Sequence, residues 1–383
     1  MKHDYLGIMK RYDYLIVGSG LFGATFAYKA TQAGKRCLVI DRRAHLGGNV
    51  YCEQVEGINV HRYGAHIFHT SDRAVWDFVN SLVPFNRYTN CPVANYHGEL
   101  YNLPFNMNTF CQMWQDVKTP ADAMAKIAEQ RAEAAAKIGG LEARNLEEQA
   151  LMLVGRDIYE KLIKEYTEKQ WGRLCTELPS FIIRRLPLRF VFDNNYFNDS
   201  YQGIPIGGYN VLINKLLEGV ETKTNCDFFE EYKDSWREIA ACLVYTGPLD
   251  GYFGYRLGRL DWRTVTFQTR IEDTPNYQGN AVVNYTSHAV PYTRIIEHKH
   301  FESFGQAVYD NPKTVVSEEY AAEYRPGMEP YYPVNDDRNN ALADRYRALA
   351  AGEKDVLFGG RLAEYRYYDM APVIARALSL AAF

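Results

Sequence analysis

The sequence predicts an α/β protein with a helical insertion and an antiparallel-sheet insertion. Three observations predict it. The strand-like run Tyr14-Leu15-Ile16-Val17 passes directly into Gly18-Ser19-Gly20-Leu21-Phe22-Gly23, glycines at the spacing G-x-G-x-x-G. A helical stretch then leads to a second apolar run, Arg36-Cys37-Leu38-Val39-Ile40, closed by the acid Asp41. Apolar runs ending in glycine recur far downstream, at 241–247 and 356–360, as if the chain returned twice to the same sheet.

The first observation reads as strand, tight turn and helix start. Gly18 permits the turn, Gly20 lets backbone approach a pyrophosphate, and Gly23 lets helix and strand pack closely. The helix N-terminus adds free N–H groups and a positive dipole end. Ala24 to Ala33 reads as the helix, with Gly34 closing it. Asp41, 23 residues after Gly18, stands where a carboxylate meets a ribose hydroxyl. The unit is therefore Rossmann-like. After Arg42 and Arg43 comes Leu46-Gly47-Gly48-Asn49, a second glycine pair that a plain NAD unit does not need. Such a pair resembles FAD enzymes of the glutathione reductase and amine oxidase families and moves the expected cofactor from NAD to FAD.

Next, Tyr63-Gly64-Ala65-His66-Ile67-Phe68-His69-Thr70 suggests backbone near a ligand. His66 reads either as pointing at a flavin or as a core histidine satisfied by backbone. His66 and His69 have H-x-x-H spacing but no evident third ligand, so no metal is expected. A helix is expected over 71–83, capped by Ser71 or Asp72. Strands over 93–96 and 100–103 are joined by a His97-Gly98 turn.

From 105 to 171 the chain is helical in character. One helix starts at Thr119-Pro120 and stops near Gly139-Gly140. A second is expected to be capped by Asn145, with Glu148 completing a capping box. Leu151, Val154, Ile158, Leu162 and Tyr166 then form one apolar stripe. It ends in Tyr166-Thr167-Glu168-Lys169-Gln170-Trp171-Gly172. Tyr166 either closes the stripe or faces a ligand, and Trp171 either packs or binds. Pro179 and Pro187 bracket a loop containing Arg184 and Arg185, either solvated or a phosphate clamp.

Asp193-Asn194-Asn195-Tyr196-Phe197 follows, then a helix after Gly207-Gly208. Strands over 262–270 and 279–286 belong to a separate, more antiparallel sheet, which 292–300 and 315–324 continue. Glu329-Pro330-Tyr331-Tyr332-Pro333 is a rigid turn. At the end, Val356-Leu357-Phe358 is a strand, Gly359-Gly360-Arg361 its turn, and Met370 to Leu380 a helix whose N-terminus would face a flavin. Asp369 is either that helix's N-cap or a group orienting an arginine or tyrosine.

The 383 residues allow two or three domains. A formal charge of −4 gives no reason to expect nucleic-acid binding. No apolar run approaches the ~18–20 residues of a membrane span, and Met1 to Arg11 has no apolar core of a signal peptide. The seven cysteines lack C-x-x-C spacing and are odd in number, which argues against a disulfide framework or zinc site.

Several stretches together resemble the bacterial UDP-galactopyranose mutase family, nearly end to end: 166–172, 193–197, Pro291-Tyr292-Thr293-Arg294-Ile295-Ile296-Glu297-His298-Lys299, 329–333 and 359–369. A longer N-terminal extension and extra loop residues over 301–312 depart from the family pattern. The resemblance implies an isomerase, an intramolecular transferase interconverting UDP-galactopyranose and UDP-galactofuranose in galactofuranose and polysaccharide biosynthesis. It implies reduced FAD whose N5 forms a covalent adduct with the sugar, a cytoplasmic location and a homodimer.

It implies residue roles as well. Arg294 and Arg361 would be catalytic. Asn90, Tyr166, Thr167, Trp171, Arg185, Tyr196, Arg294, Tyr332 and Tyr367 would bind substrate. Gly18, Gly20, Phe22, Gly23, Asp41, Arg42, Gly48, Asn49, His66, Ile67, Arg361 and Met370 would bind FAD. The expected organisation is a discontinuous FAD domain over 12–83, 204–250 and 335–383, a helical substrate domain over 105–192, and a sheet domain over 84–104 and 251–334. Two other readings compete. An amine-oxidase-like flavin oxidoreductase would have a largely apolar pocket, whereas the candidate residues here are rich in arginine. A binding protein would hold nucleotide sugar without turnover.

Overall fold

The structure is a computed structural model that describes residues 11–139, 142–183 and 188–381. The N-terminal extension up to residue 10 and the pair Arg184–Arg185 lie outside the described residues.

The glycine motif sits where the sequence places it. Strand Tyr12–Val17 is central in an all-parallel sheet of five. The sheet order is Val356–Phe358, Ala240–Tyr245, Tyr12–Val17, Cys37–Ile40, Glu221–Lys223. The downstream runs are thus neighbours of the first strand, and the edge strand Glu221–Lys223 is an addition the sequence reading lacked. Both faces of this sheet are covered, as parallel sheets require. Ile16, Val39 and Val244 point into one core with helices Leu21–Gln32, Tyr209–Leu216 and Met370–Leu380. Leu15, Leu38 and Leu243 alternate into a second core with Phe228 and Trp236. The first helix begins at Leu21, three residues earlier than expected, because Gly20 already serves as its N-cap.

A seven-stranded sheet stands beside this unit. Its order is Tyr332–Pro333, Trp262–Glu272, Thr314–Glu323, Arg294–Glu297, Val282–Tyr285, Val93–Tyr96, Glu99–Asn102. It is antiparallel except for one pair, Val282–Tyr285 with Val93–Tyr96, which runs parallel. That pair adds the early hairpin, turned by His97 (φ 52°) and Gly98 (φ 89°), to the sheet's edge.

The hairpin's Ala94 and Tyr101 also join the helical core, built on Phe110, Trp114, Ile127, Leu146 and Ile158. Helix Pro120–Ile138 has the expected start, a capping box between Thr119 and Asp122, and its C-cap Gly139 is left-handed at φ 68°.

The second long helix differs from expectation in two ways. Asn145 caps it, its Oδ1 accepting from Glu148 N at 3.0 Å. The reciprocal bond is missing, because Arg144 draws the Glu148 carboxylate away, donating from N at 2.8 Å and from its guanidinium. The apolar stripe is also not one helix. Helix Leu146–Val154 stops at Gly155 (φ 85°), whose Cβ would lie 2.8 Å from Gln130. The chain resumes through Arg156–Ile158, a π-helical segment Tyr159–Lys164, and helix Glu165–Trp171, which Gly172 ends at φ 65°. Periodicity survives the break because the π-segment adds residues without turning the apolar face away.

Candidate functional site

Two cavities of about 500 Å³ and 520 Å³ lie between these units. The first is built on the glycine loops. Gly18 has φ 101°, and a Cβ there would fall 2.1 Å from Thr246 Oγ1. A Cβ on Gly23 would fall 2.0 Å from the Gly18 carbonyl oxygen. Gly48 (φ 56°) faces Gly20 so closely that its Cβ would meet Gly20 Cα at 3.0 Å. The two glycine pairs therefore form opposing walls. No side chain caps helix Leu21–Gln32, so its first N–H groups are open to an anion.

Gly18, Gly20, Phe22, Asp41, Arg42, Gly48, Asn49, His66, Arg361 and Met370 all line this cavity. Gly23 lies just beneath it. Ile67 does not line it, and packs instead against the core beside the parallel sheet. Asp41 is engaged by its own loop, Oδ2 accepting from Ser19 N at 3.0 Å and from Ser19 Oγ at 2.6 Å. Arg42 donates to Glu329 at 2.8 Å. Arg43 reaches the same carboxylate at 2.7 Å and also donates to Asn49 Oδ1 at 2.9 Å. The sequence reading missed Arg43 and the part Glu329 plays. Their only signal was a basic pair beside the second glycine motif.

His66 occupies the inner end. Its Nδ1 bonds the Gly64 carbonyl at 2.7 Å, and its backbone N–H donates to His61 Nδ1 at 3.2 Å. Burial pushes the His66 imidazole down to about 4, helped by the positive charges of Arg361 and Arg294. His69 turns elsewhere, to Asp199 at 2.6 Å. Among the described residues no three potential ligands gather as a metal site.

Arg361 is held by carbonyls, donating to Tyr331 O at 3.2 Å and Tyr368 O at 2.6 Å, and it lies 5.4 Å from the Tyr367 ring. Tyr367 lines the second cavity, so the two cavities meet here. The Tyr332 and Tyr367 rings stack with centroids 6.0 Å apart. Tyr367 donates its hydroxyl to Asp369 Oδ1 at 3.1 Å. Asp369 makes no side-chain cap bond to helix Met370–Leu380. Of its two readings, the geometry supports the tyrosine-orienting one.

Trp171, Arg294, Tyr332 and Tyr367 line the second cavity. Arg294 forms an ion pair with Glu319 at 2.7 Å. Its Nε is buried without a hydrogen-bond partner. Burial works to lower the guanidinium pKa, but Glu319 and the phenols of Tyr166 and Tyr332 outweigh it, and the net shift is upward. Tyr166 sits behind this pair, its phenol raised by burial in the same field of Arg294, Glu319, Tyr196 and Tyr332. Asn90 and Thr167 are buried and do not line the cavity. Asn90 accepts from Tyr196 N at 2.8 Å through its carbonyl. The Tyr196 ring is exposed. Arg263 and Glu319 line the cavity and were not read from the sequence. They stand in long strands with several other charges, where alternation alone does not say which side faces a cleft.

A glycine-walled cavity on a parallel sheet, opening into a cleft of arginine and tyrosine, defines a Rossmann-type dinucleotide-binding protein with a second cleft beside the first. The comparisons agree at both scales. Residues 16–82 match the NAD(P)-binding Rossmann-like domain, and residues 161–367 match the UDP-galactopyranose mutase family model. A probable UDP-galactopyranose mutase of Klebsiella pneumoniae is 38% identical, over 97% of this chain and 94% of the relative. A dTDP-fucopyranose mutase of Escherichia coli is 37% identical, over 96% and 97%. The crystal structure of a reduced UDP-galactopyranose mutase superposes with TM-score 0.71 at 14% identity, over 97% and 93% of the two chains. A putrescine oxidase shares the fold at TM-score 0.56 and 12% identity, over 97% and 98%. The chain belongs to the UDP-galactopyranose mutase family.

Proposed function

We propose that the protein is an isomerase, a mutase that interconverts UDP-galactopyranose and UDP-galactofuranose with FAD in its reduced form. The observation that carries this reading is Arg294. It is a half-buried guanidinium with a buried, unpartnered Nε, in a cleft that meets the dinucleotide cavity at Arg361 and Tyr367.

The first cavity fits a flavin dinucleotide. At Gly18 and Gly23 any Cβ would collide with protein, and at Gly20 the wall is left open for a diphosphate. Gly18, Gly20, Asp41, Arg42, Gly48, Asn49 and Met370 would hold it. Reduced FAD, when bound, supplies an electron-rich N5 able to attack an anomeric carbon. Arg294 and Arg361 would set positive charge beside the departing UDP as it gathers negative charge. Tyr332 and Tyr196 would offer hydroxyls to the phosphates, Arg185 its guanidinium, and Tyr367 its hydroxyl in place of the bond to Asp369, each such bond to a charged group contributing ~1.5–3 kcal/mol. Tyr166 would stack on uracil beside Asn90 and Thr167, and Trp171 would cover the sugar–phosphate. His66 stays neutral at pH 7 and, with Nδ1 held by Gly64, presents Nε2. A homodimer and a cytoplasmic site of action accompany this reading.

The test is anaerobic turnover of UDP-galactofuranose with and without dithionite. Conversion to UDP-galactopyranose only in the reduced sample is expected. No conversion by fully reduced, FAD-loaded protein would overturn the reading. The near-equal identity to a dTDP-fucopyranose mutase favours a second substrate pair on the same chemistry, so the dTDP-linked 6-deoxy sugar belongs in the same assay.

A further inference from the structure

Helix Glu165–Trp171 carries Trp171 into the second cavity and Lys169 on the opposite side. The Lys169 ammonium enters the loop joining strands Val282–Tyr285 and Arg294–Glu297. Its three N–H groups are ringed by four main-chain carbonyls, Tyr285 at 2.6 Å, Ser287 at 2.8 Å and Tyr292 at 2.8 Å, with Val290 sharing a donor at 3.3 Å. Among the described residues it has no carboxylate ion pair. A half-buried ammonium surrounded by loop carbonyls is a tie between segments rather than a surface charge, since each carbonyl would otherwise lose its partner.

The same loop is gripped at two further points. Thr286 Oγ1 donates to Lys161 O at 2.7 Å, within the π-helical segment. His288 donates its backbone N–H to Glu165, and its ring pairs with Glu168 at 3.1 Å. The face of the helix turned away from Trp171 is therefore fastened along its length to the loop that leads to Arg294.

We infer that Lys169 is a positioning residue that fixes the gap between the two walls of the substrate cleft. One wall is the end of the helix with Gln170 and Trp171. The other is the sheet with Arg294. Arg294 itself is secured separately, in register with Asn284 and Glu319 in the sheet. Loss of Lys169 therefore displaces the helix and leaves Arg294 in place, and it weakens nucleotide binding more than it slows chemistry. Identifying the ligand as a uridine nucleotide rests on the function proposed above. The clasp itself does not.

The test compares wild type, Lys169→Met and Lys169→Arg, all loaded with flavin. In Lys169→Met, amide hydrogen exchange is expected to speed up over 286–293 and 165–171 while the parallel sheet is unchanged. KM for UDP-galactofuranose, and the dissociation constant for UDP read from tryptophan fluorescence, are expected to rise ~10-fold or more, with kcat within ~3-fold. Lys169→Arg, which keeps a cation and several donors, is expected to recover most of the loss. Unchanged exchange over 286–293, or a fall in kcat at constant KM, overturns the inference. If Lys169→Met does not fold, His288→Ala loosens the same loop from its exposed side. It is expected to shift KM and exchange in the same direction by less, and no shift in either overturns the inference. If wild type binds no UDP, the functional reading fails, and the exchange comparison still decides the clasp.

Discussion

Replacing Arg294 with alanine tests the cleft most directly, because stability and catalysis respond through different partners. In the native fold the guanidinium faces Glu319 at 2.7 Å, and the side chains are 24% and 6% exposed. Removing one member of a buried ion pair leaves the other uncompensated, at a cost of about 3–5 kcal/mol when both are fully buried. The Arg294 side is open to the cleft, so the lower end, ~3 kcal/mol, is expected. The double variant Arg294→Ala/Glu319→Gln removes the orphaned charge and should recover most of that loss in thermal and urea unfolding. It should not recover turnover. Loss of a positive group aimed at a developing negative charge costs ~10²–10³ in rate, so both variants should fall that far in kcat/KM under dithionite while carrying full, yellow flavin before reduction. The assay is anaerobic turnover alongside flavin absorbance and unfolding midpoints. An Arg294→Ala protein with full flavin and a rate within ~3-fold of wild type would refute the catalytic argument. A double variant no more stable than the single would refute the electrostatic one.

Three further outcomes follow from the geometry. Gly20→Ala should fold with nearly native stability, since its Cβ meets only Gly48 Cα at 3.9 Å, yet bind flavin weakly; Gly23→Ala, whose Cβ meets a carbonyl oxygen at 2.0 Å, should lose ~1–3 kcal/mol as well, and equal unfolding midpoints would contradict this. Burial pushes His298 down to about 3 and His66 to about 4, so the folded protein binds fewer protons than the unfolded chain below pH ~6.5. Stability is then fully present above pH ~6.5 and falls with pH towards those values, by up to about 1.4 kcal/mol per pH unit for each histidine; unfolding curves of His298→Gln should show a flatter pH dependence between pH ~6.5 and ~4. Asp72→Ala should cost ~1 kcal/mol because Oδ1 accepts from Ala74 N and Val75 N, whereas Asp369→Ala, which breaks no cap bond, should cost less but lower turnover by freeing Tyr367; equal losses of stability would contradict the assignment of Asp369 to Tyr367.

Much of this molecule is legible in the chain because its signals are local. Gly18, Gly20 and Gly23 announce a strand–turn–helix, since only glycine fits where a Cβ would strike Thr246 or the Gly18 carbonyl. Thr119, Asn145 and Asp72 announce helix starts, because a cap acts within three residues. The apolar runs at 240–245 and 356–358 announce buried parallel strands, both faces being covered.

The tertiary structure alone decided what depends on distant partners. Gly155 broke a stripe that periodicity read as continuous, because the helix Pro120–Ile138 brings Gln130 against it. The Glu148 carboxylate left its cap for Arg144. Glu329 became a bridge between Arg42 and Arg43 nearly three hundred residues away, and Glu319 rather than solvent met Arg294. Lys169 sat in a motif whose aromatic members the sequence singled out, while the carbonyls that hold it belong to a loop more than a hundred residues later. Backbone shape is written in neighbours along the chain. The pairing of a charge is settled by whichever segment the fold brings within about 3 Å of it, and that depends on three-dimensional packing rather than on sequence separation.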